Sequence, residues 1–110
     1  MAAASRQQLP VGSVVNISDE AANVVIIGQF PVVENDGDKG YYDFVGVTLP
    51  IGYDAKTLLF FNKEDINNVI FLGYIDAAFQ SFLKEADSFE KETRLQKLKA
   101  SQARREQDDL

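Results

Sequence analysis

All seven glycines and all three prolines of this 110-residue chain fall at or before Gly73, and none follows. Glycine and proline serve turns and weaken helix interiors, so their one-sided placement divides the chain. Residues 9–73 read as β-rich and residues 74–100 as a C-terminal helix, with 101–110 a frayed tail, all within a single domain of 1–110. A chain this short is expected to bury one core rather than two. Charge divides near the same place. Residues 1–82 carry 4 basic against 10 acidic groups and residues 83–110 carry seven of each, so the whole net charge of −6 belongs to the first part.

Within that part, Ser13–Ile17 follows the turn Leu9-Pro10-Val11-Gly12 and reads as a first strand. The β-branched run Val24–Phe30 is a second, stopped by Pro31, which has no N–H to offer a ladder. Glu34–Gly40 reads as a polar loop, and Tyr41–Leu49 as a third strand that pairs with the second. Thr57–Phe61 and Val69–Leu72 supply two more, separated by one helical turn over Asn62–Asp65 with Asn62 as its N-cap. The fold class expected is α+β, a small antiparallel sheet or half-open barrel of about five strands followed by a long C-terminal helix.

From Tyr74 onward the apolar period changes. Ile75, Phe79, Phe82, Ala86 and Phe89 step by 4, 3, 4 and 3, one stripe on a helix, flanked by Ala78 and Leu83. A helix from Ile75 to Ala100 would be about 40 Å long, against a radius of gyration of about 13–14 Å for a domain of this size, so it is expected to overhang its sheet. Leu95 and Leu98 then lie about 200° and 140° from Ile75, away from the aromatic stripe. Either the helix bends or frays near Thr93, or these leucines form a second apolar face for another chain. Removing residues 94–110 is expected to leave the domain folded, since the stripe ends at Phe89.

Composition excludes most catalytic templates. With no Cys and no His there is no disulfide, no thiolate zinc site, no thiol nucleophile and no imidazole base. Ser13 sits in no G-x-S-x-G frame, and neither phosphate-cradling glycine motif occurs. The acidic loop Glu34–Gly40 misplaces the glycine and the closing glutamate of an EF-hand, so no metal site and no cofactor are expected. The acidic balance disfavours nucleic acid as a ligand. No apolar run of about 18 residues predicts membrane insertion, and the first ten residues hold no leader-like apolar stretch, so a cytoplasmic protein is expected. Asp43, set among Tyr41, Tyr42 and Phe44, has no second carboxylate placed beside it by the sequence and reads as a backbone- or Tyr-bonded structural aspartate, against a binding contact or a catalytic role. Among the eight Phe and four Tyr, one member of each pair Tyr41-Tyr42 and Phe60-Phe61 faces away from the sheet's first core. Either the C-terminal helix covers one face and the barrel interior takes the other, or an aromatic patch is exposed for a protein partner. The candidate partner-binding residues are Tyr41, Asp43, Phe89, Leu95 and Leu98.

The order of short motifs is itself suggestive: Leu9-Pro10-Val11-Gly12-Ser13-Val14-Val15, Val25-Ile26-Ile27-Gly28, Tyr42-Asp43-Phe44-Val45-Gly46 with Pro50-Ile51-Gly52-Tyr53, Phe60-Phe61-Asn62-Lys63-Glu64-Asp65-Ile66, and Val69-Ile70-Phe71-Leu72-Gly73-Tyr74. Over residues 9–85 the series resembles domain-of-unknown-function family 4176, small accessory proteins encoded with LXG toxins of type VII secretion systems. The resemblance implies a non-enzymatic chaperone or targeting adaptor that binds a cognate LXG toxin in the cytoplasm before export, beside small helical partner proteins. The alternative is an immunity protein that neutralises the toxin domain. The resemblance does not reach Leu95 and Leu98, and it assigns no toxin-contacting residue.

Overall fold

In the computed structural model, which describes residues 7–99, eight strands and one α-helix follow in the order β1 (Val14–Ile17), β2 (Val24–Gln29), β3 (Val32–Asn35), β4 (Asp38–Tyr41), β5 (Phe44–Thr48), β6 (Leu59–Phe61), β7 (Ile66–Phe71), α1 (Ala77–Glu92) and β8 (Gln96–Lys97). Five strands form an antiparallel sheet in the order β6-β5-β2-β1-β7, and β3-β4-β8 form a second, small sheet. The α+β class, the five-stranded sheet and the C-terminal helix match the sequence expectation, and the sheet does not close into a barrel.

The main sheet is curled by its own connectivity. Its two edge strands, β6 and β7, are consecutive and joined only by the 3-10 turn Lys63–Asp65. Such a turn spans roughly 10 Å, whereas the edges of a flat five-stranded sheet lie about 19 Å apart. The sheet therefore bends until Phe61 and Ile66 meet in one buried cluster with Val15, Ile17, Val24, Ile26, Phe44 and Leu59. Strand alternation supplies these residues: in β1 Val15 and Ile17 are buried while Val14 and Asn16 are half-exposed, and β2 buries Val24 and Ile26 in the same manner. Each large side chain buried there contributes about 1.5–3 kcal/mol.

Residues 34–40, expected as a polar loop, are instead most of a hairpin. Val32–Asn35 and Asp38–Tyr41 pair residue for residue around Asp36-Gly37. Both turn residues have positive φ, 54° and 86°, the arrangement an Asp-Gly pair supplies in a tight hairpin. Ahead of it Phe30 also sits at positive φ, 47°, which ends β2 and sends its ring out of the main sheet. That conformation costs of order 1 kcal/mol or more, and it is held by the bonds Phe30 N–H to the Asp43 carbonyl (3.1 Å) and Tyr42 N–H to the Pro31 carbonyl (3.1 Å).

The displaced Phe30 ring is what the helix packs on. Its centroid lies 4.7 Å from Phe89 and 6.2 Å from Phe82, and Phe89 meets Tyr41 edge-on at 5.1 Å. Ala86, between the two phenylalanines on the stripe, is the fully buried residue of α1. The helix starts at Asp76, whose carboxylate accepts from the Phe79 N–H at 2.8 Å.

The helix is shorter than the sequence suggested, and it does not overhang. It stops at Glu92, because Thr93 takes an extended conformation and its Oγ1 accepts from the Leu95 N–H at 3.1 Å. The chain then turns back, and Gln96–Lys97 pair in parallel with Gly40–Tyr41. A continuous helical face carrying Leu95 and Leu98 does not exist; both leucines are half-buried on the domain itself. Ala100 and the tail 101–110 lie outside the described residues.

Candidate interaction surface

Tyr41, Asp43, Leu98 and Phe89 do come together, under the C-terminal strap of residues 93–99. Asp43 is fully buried. Its Oδ2 accepts from the Lys63 N–H at 2.8 Å and from the Lys97 ammonium at 2.8 Å, and Lys97 also reaches Glu64 at 3.2 Å. The Asp43 N–H donates to Asn62 Oδ1 (3.0 Å), and Asn62 Nδ2 in turn donates to the Leu98 carbonyl (2.7 Å). The Leu98 N–H donates to the Tyr41 carbonyl at 2.9 Å, and the Tyr42 hydroxyl donates to the Lys99 carbonyl at 3.0 Å. Gly40 permits this approach: a Cβ there would stand 2.5 Å from the Gln96 carbonyl and 2.6 Å from the Leu98 side chain.

The electrostatics of the strap follow from that burial. Burial alone would lower the pKa of Lys97, but its hydrogen bond and attraction to Asp43, and then to Glu64, hold it above its ordinary value. For Glu64 the same burial would raise the pKa, and its backbone hydrogen bond together with Lys97 outweighs it and lowers the value. The Tyr41 hydroxyl is shifted up, chiefly by desolvation, with Lys97 opposing. Asp43 Oδ1 has no hydrogen-bond partner among the described residues. Asp43 is thus an internal tie: it fastens the strap to the sheet and presents nothing at the surface.

A different region is open. β7 buries Ile66 and exposes the rest of its length. Two bulges explain the lost alternation, since Asn67 and Ile70 are each extra residues opposite β1, between Ile66↔Ile17 and Asn68↔Asn16, and between Val69↔Val15 and Phe71↔Val14. Beyond the strand, Gly73 is locked against the N-terminal turn: its N–H donates to the buried Ser13 hydroxyl at 2.9 Å, and a Cβ on Gly73 would meet the Val11 carbonyl at 2.5 Å. This lock leaves Val11, Val69, Ile70, Phe71, Leu72, Tyr74 and Ile75 exposed along one edge, with Leu83 of α1. Between that edge and the first half of α1 lies a groove of about 740 Å3, lined by Leu9, Pro10, Leu72, Ile75, Phe79 and Leu83.

None of these groove residues was among the candidates drawn from the sequence. The missed signal is the run Val69–Leu72 continued by Tyr74-Ile75, which does not alternate. An apolar run without alternation fits a strand covered on both faces, and here it lies at a sheet edge, uncovered. Among the described residues no helix is long and apolar enough to cross a membrane.

The structure is thus a small α+β domain with a strapped interior carboxylate and an open apolar groove. The family model described as domain of unknown function (DUF4176) matches residues 8–82, and the chain belongs to that family. The match covers the main sheet, the hairpin and the first turns of α1, and stops short of the strap. Neither the curated proteins nor the solved structures give a match.

Proposed function

We propose that this protein is a non-enzymatic chaperone or targeting adaptor that binds a cognate LXG toxin in the cytoplasm and promotes its export by type VII secretion. The observation that carries this reading is the apolar edge Val69–Ile75 with its adjoining groove, a surface that a folded domain rarely leaves to water unless another molecule covers it. The motif order from Leu9 to Tyr74 motivates the toxin context, through its resemblance to the family to which the chain belongs. In this reading the client polypeptide contributes apolar side chains to the groove, and exposed charges of α1 such as Lys91 and Asp87 remain in solvent and keep the complex soluble.

Co-purification of the full chain with its neighbouring LXG-type protein tests this, using the whole toxin, its N-terminal region and its C-terminal domain separately. Capture by the N-terminal region, lost on Leu83→Glu, is the expected result. Capture by the C-terminal toxin domain alone would make the protein an immunity factor, and no capture in any arm would remove the chaperone reading.

A further inference from the structure

We infer that the free protein is a two-fold homodimer in which the Phe71–Ile75 segment of each copy enters the groove of the other. The inference is independent of the toxin reading and concerns how the same surface is covered when no client is present.

Three observations lead there. The surface contains both halves of an isologous contact. Tyr74 (77% exposed) and Phe71 (62% exposed) stand out from the domain, while Leu72 and Ile75, their immediate neighbours in sequence, line the groove together with Phe79 and Leu83. A two-fold axis beside this edge places the protruding ring of one copy in the concave part of the other, and the reverse contact follows by symmetry.

The second observation is charge. No charged residue occurs between Asp65 and Asp76. In a two-fold interface any charge on this segment would lie near its own symmetry copy, and a chain of net charge −6 associates with itself most readily through a face without carboxylates; the charged residue that lines the groove is Lys84.

The third is size. The exposed parts of Val11, the six apolar residues between Val69 and Ile75, and Leu83 amount to on the order of 700 Å2, close to the ~800 Å2 per partner of a standard interface. The bulges at Asn67 and Ile70 decide the mode of contact. They break the regular spacing of N–H and C=O groups along β7, so side chains meet across the axis rather than strands extending one sheet.

Sedimentation or light scattering of the full chain between about 1 and 100 μM, the range in which an interface of modest size associates, tests the proposal. The expected result is the mass of two chains at the upper end, reduced to one chain by Tyr74→Glu and by Leu83→Glu with unchanged circular dichroism. Ile51→Glu, at an exposed loop residue outside this surface, should leave the dimer intact. A single-chain mass throughout the range, or a dimer that survives both substitutions, would overturn it. Capture of the toxin by a protein that is monomeric at every concentration would sustain the preceding section and still sink this one.

Discussion

Replacing Lys97 by Met keeps the length of the side chain and removes its ammonium, leaving Asp43 Oδ2 with the Lys63 N–H as its remaining partner. Asp43 is fully buried, and stripping one partner from a buried ion pair costs about 3–5 kcal/mol. Here the figure falls to about 2–4 kcal/mol, because the Lys97 side chain is itself 31% exposed and water screens part of the attraction. The partner contact to Glu64, an exposed carboxylate, adds little. Urea unfolding followed by circular dichroism should show the midpoint falling by roughly 2 M for a slope near 1–1.5 kcal/mol/M. Asp43→Asn in the Lys97→Met background should recover part of the loss, since a neutral amide tolerates burial without an ammonium. A Lys97→Met effect below about 0.5 kcal/mol would mean that the strap is not docked in solution and that the reasoning about Asp43 is wrong. The same pair sets a pH limit. The folded pKa of Lys97 is raised, so its contribution is complete below the ordinary value of 10.5 and is lost as pH rises through the folded value. Alkaline unfolding should therefore begin later in Lys97→Met, measured relative to its own neutral stability.

Gly40→Val should push the Gln96 carbonyl and Leu98 away and loosen the strap, costing about 1–3 kcal/mol by thermal unfolding; an unchanged midpoint would show that β4 and β8 do not pair. Removing residues 94–110 takes Lys97 and the Leu98 contacts with it, so the truncated chain, which the aromatic stripe predicts to stay folded, should unfold at a lower urea concentration than the full one. Phe79 and Phe82 are half-buried, so alanine at either should cost about 1–2 kcal/mol, less than a core phenylalanine; a loss above 3 kcal/mol would indicate that the groove is filled in solution. Asp76→Ala removes the carboxylate that accepts from the Phe79 N–H and should cost about 1 kcal/mol, read from the helical signal. Glu64, whose pKa is depressed, contributes above its ordinary value of 4.5 and loses that contribution as pH falls through its folded value, so Glu64→Gln should flatten the acid limb of the stability profile slightly.

The main sheet was legible because its signals are local: alternation at Val14–Ile17, β-branching at Val24–Ile27, and Asn62 opening a single turn that is followed by a strand. The aromatic stripe also identified the buried side of α1, since Phe82 and Phe89 recur at helical spacing and pack on Phe30 with Ala86 buried between them, although Ile75 precedes the helix and is exposed. The hairpin was hidden by composition, as the polar residues of β4 looked like a loop although Asp36-Gly37 is a strong turn signal. The end of the helix was hidden for another reason. Nothing after Glu92 breaks a helix by itself; Thr93 leaves it because Lys97 has Asp43 to reach and Leu98 has Tyr41 and Asn62, all far away in sequence. Tyr41, Asp43 and Leu98 were singled out together for a partner, and they are neighbours, but the domain itself takes up their bonds: the Leu98 N–H donates to the Tyr41 carbonyl, and Asp43 Oδ2 accepts from Lys63 and Lys97. The groove escaped because exposure at a sheet edge depends on strand order and bulges, which single-strand patterns do not encode.

The parallel pairing of β4 with β8 also has a consequence for the order of events during synthesis. Gly40 emerges early and waits for Gln96, so β8 cannot join the β3–β4 hairpin until residues 96–97 have left the ribosome. Until residues 89–97 have emerged, Asp43 lacks its lysine, and Phe30 and Tyr41 lack the Phe89 ring, which leaves a nascent domain whose main sheet can assemble while its helical side stays open. Completion of the fold is thereby tied to the emergence of residues 93–99, and a chain cut short before Lys97 would lack the tie to Asp43 for its whole lifetime.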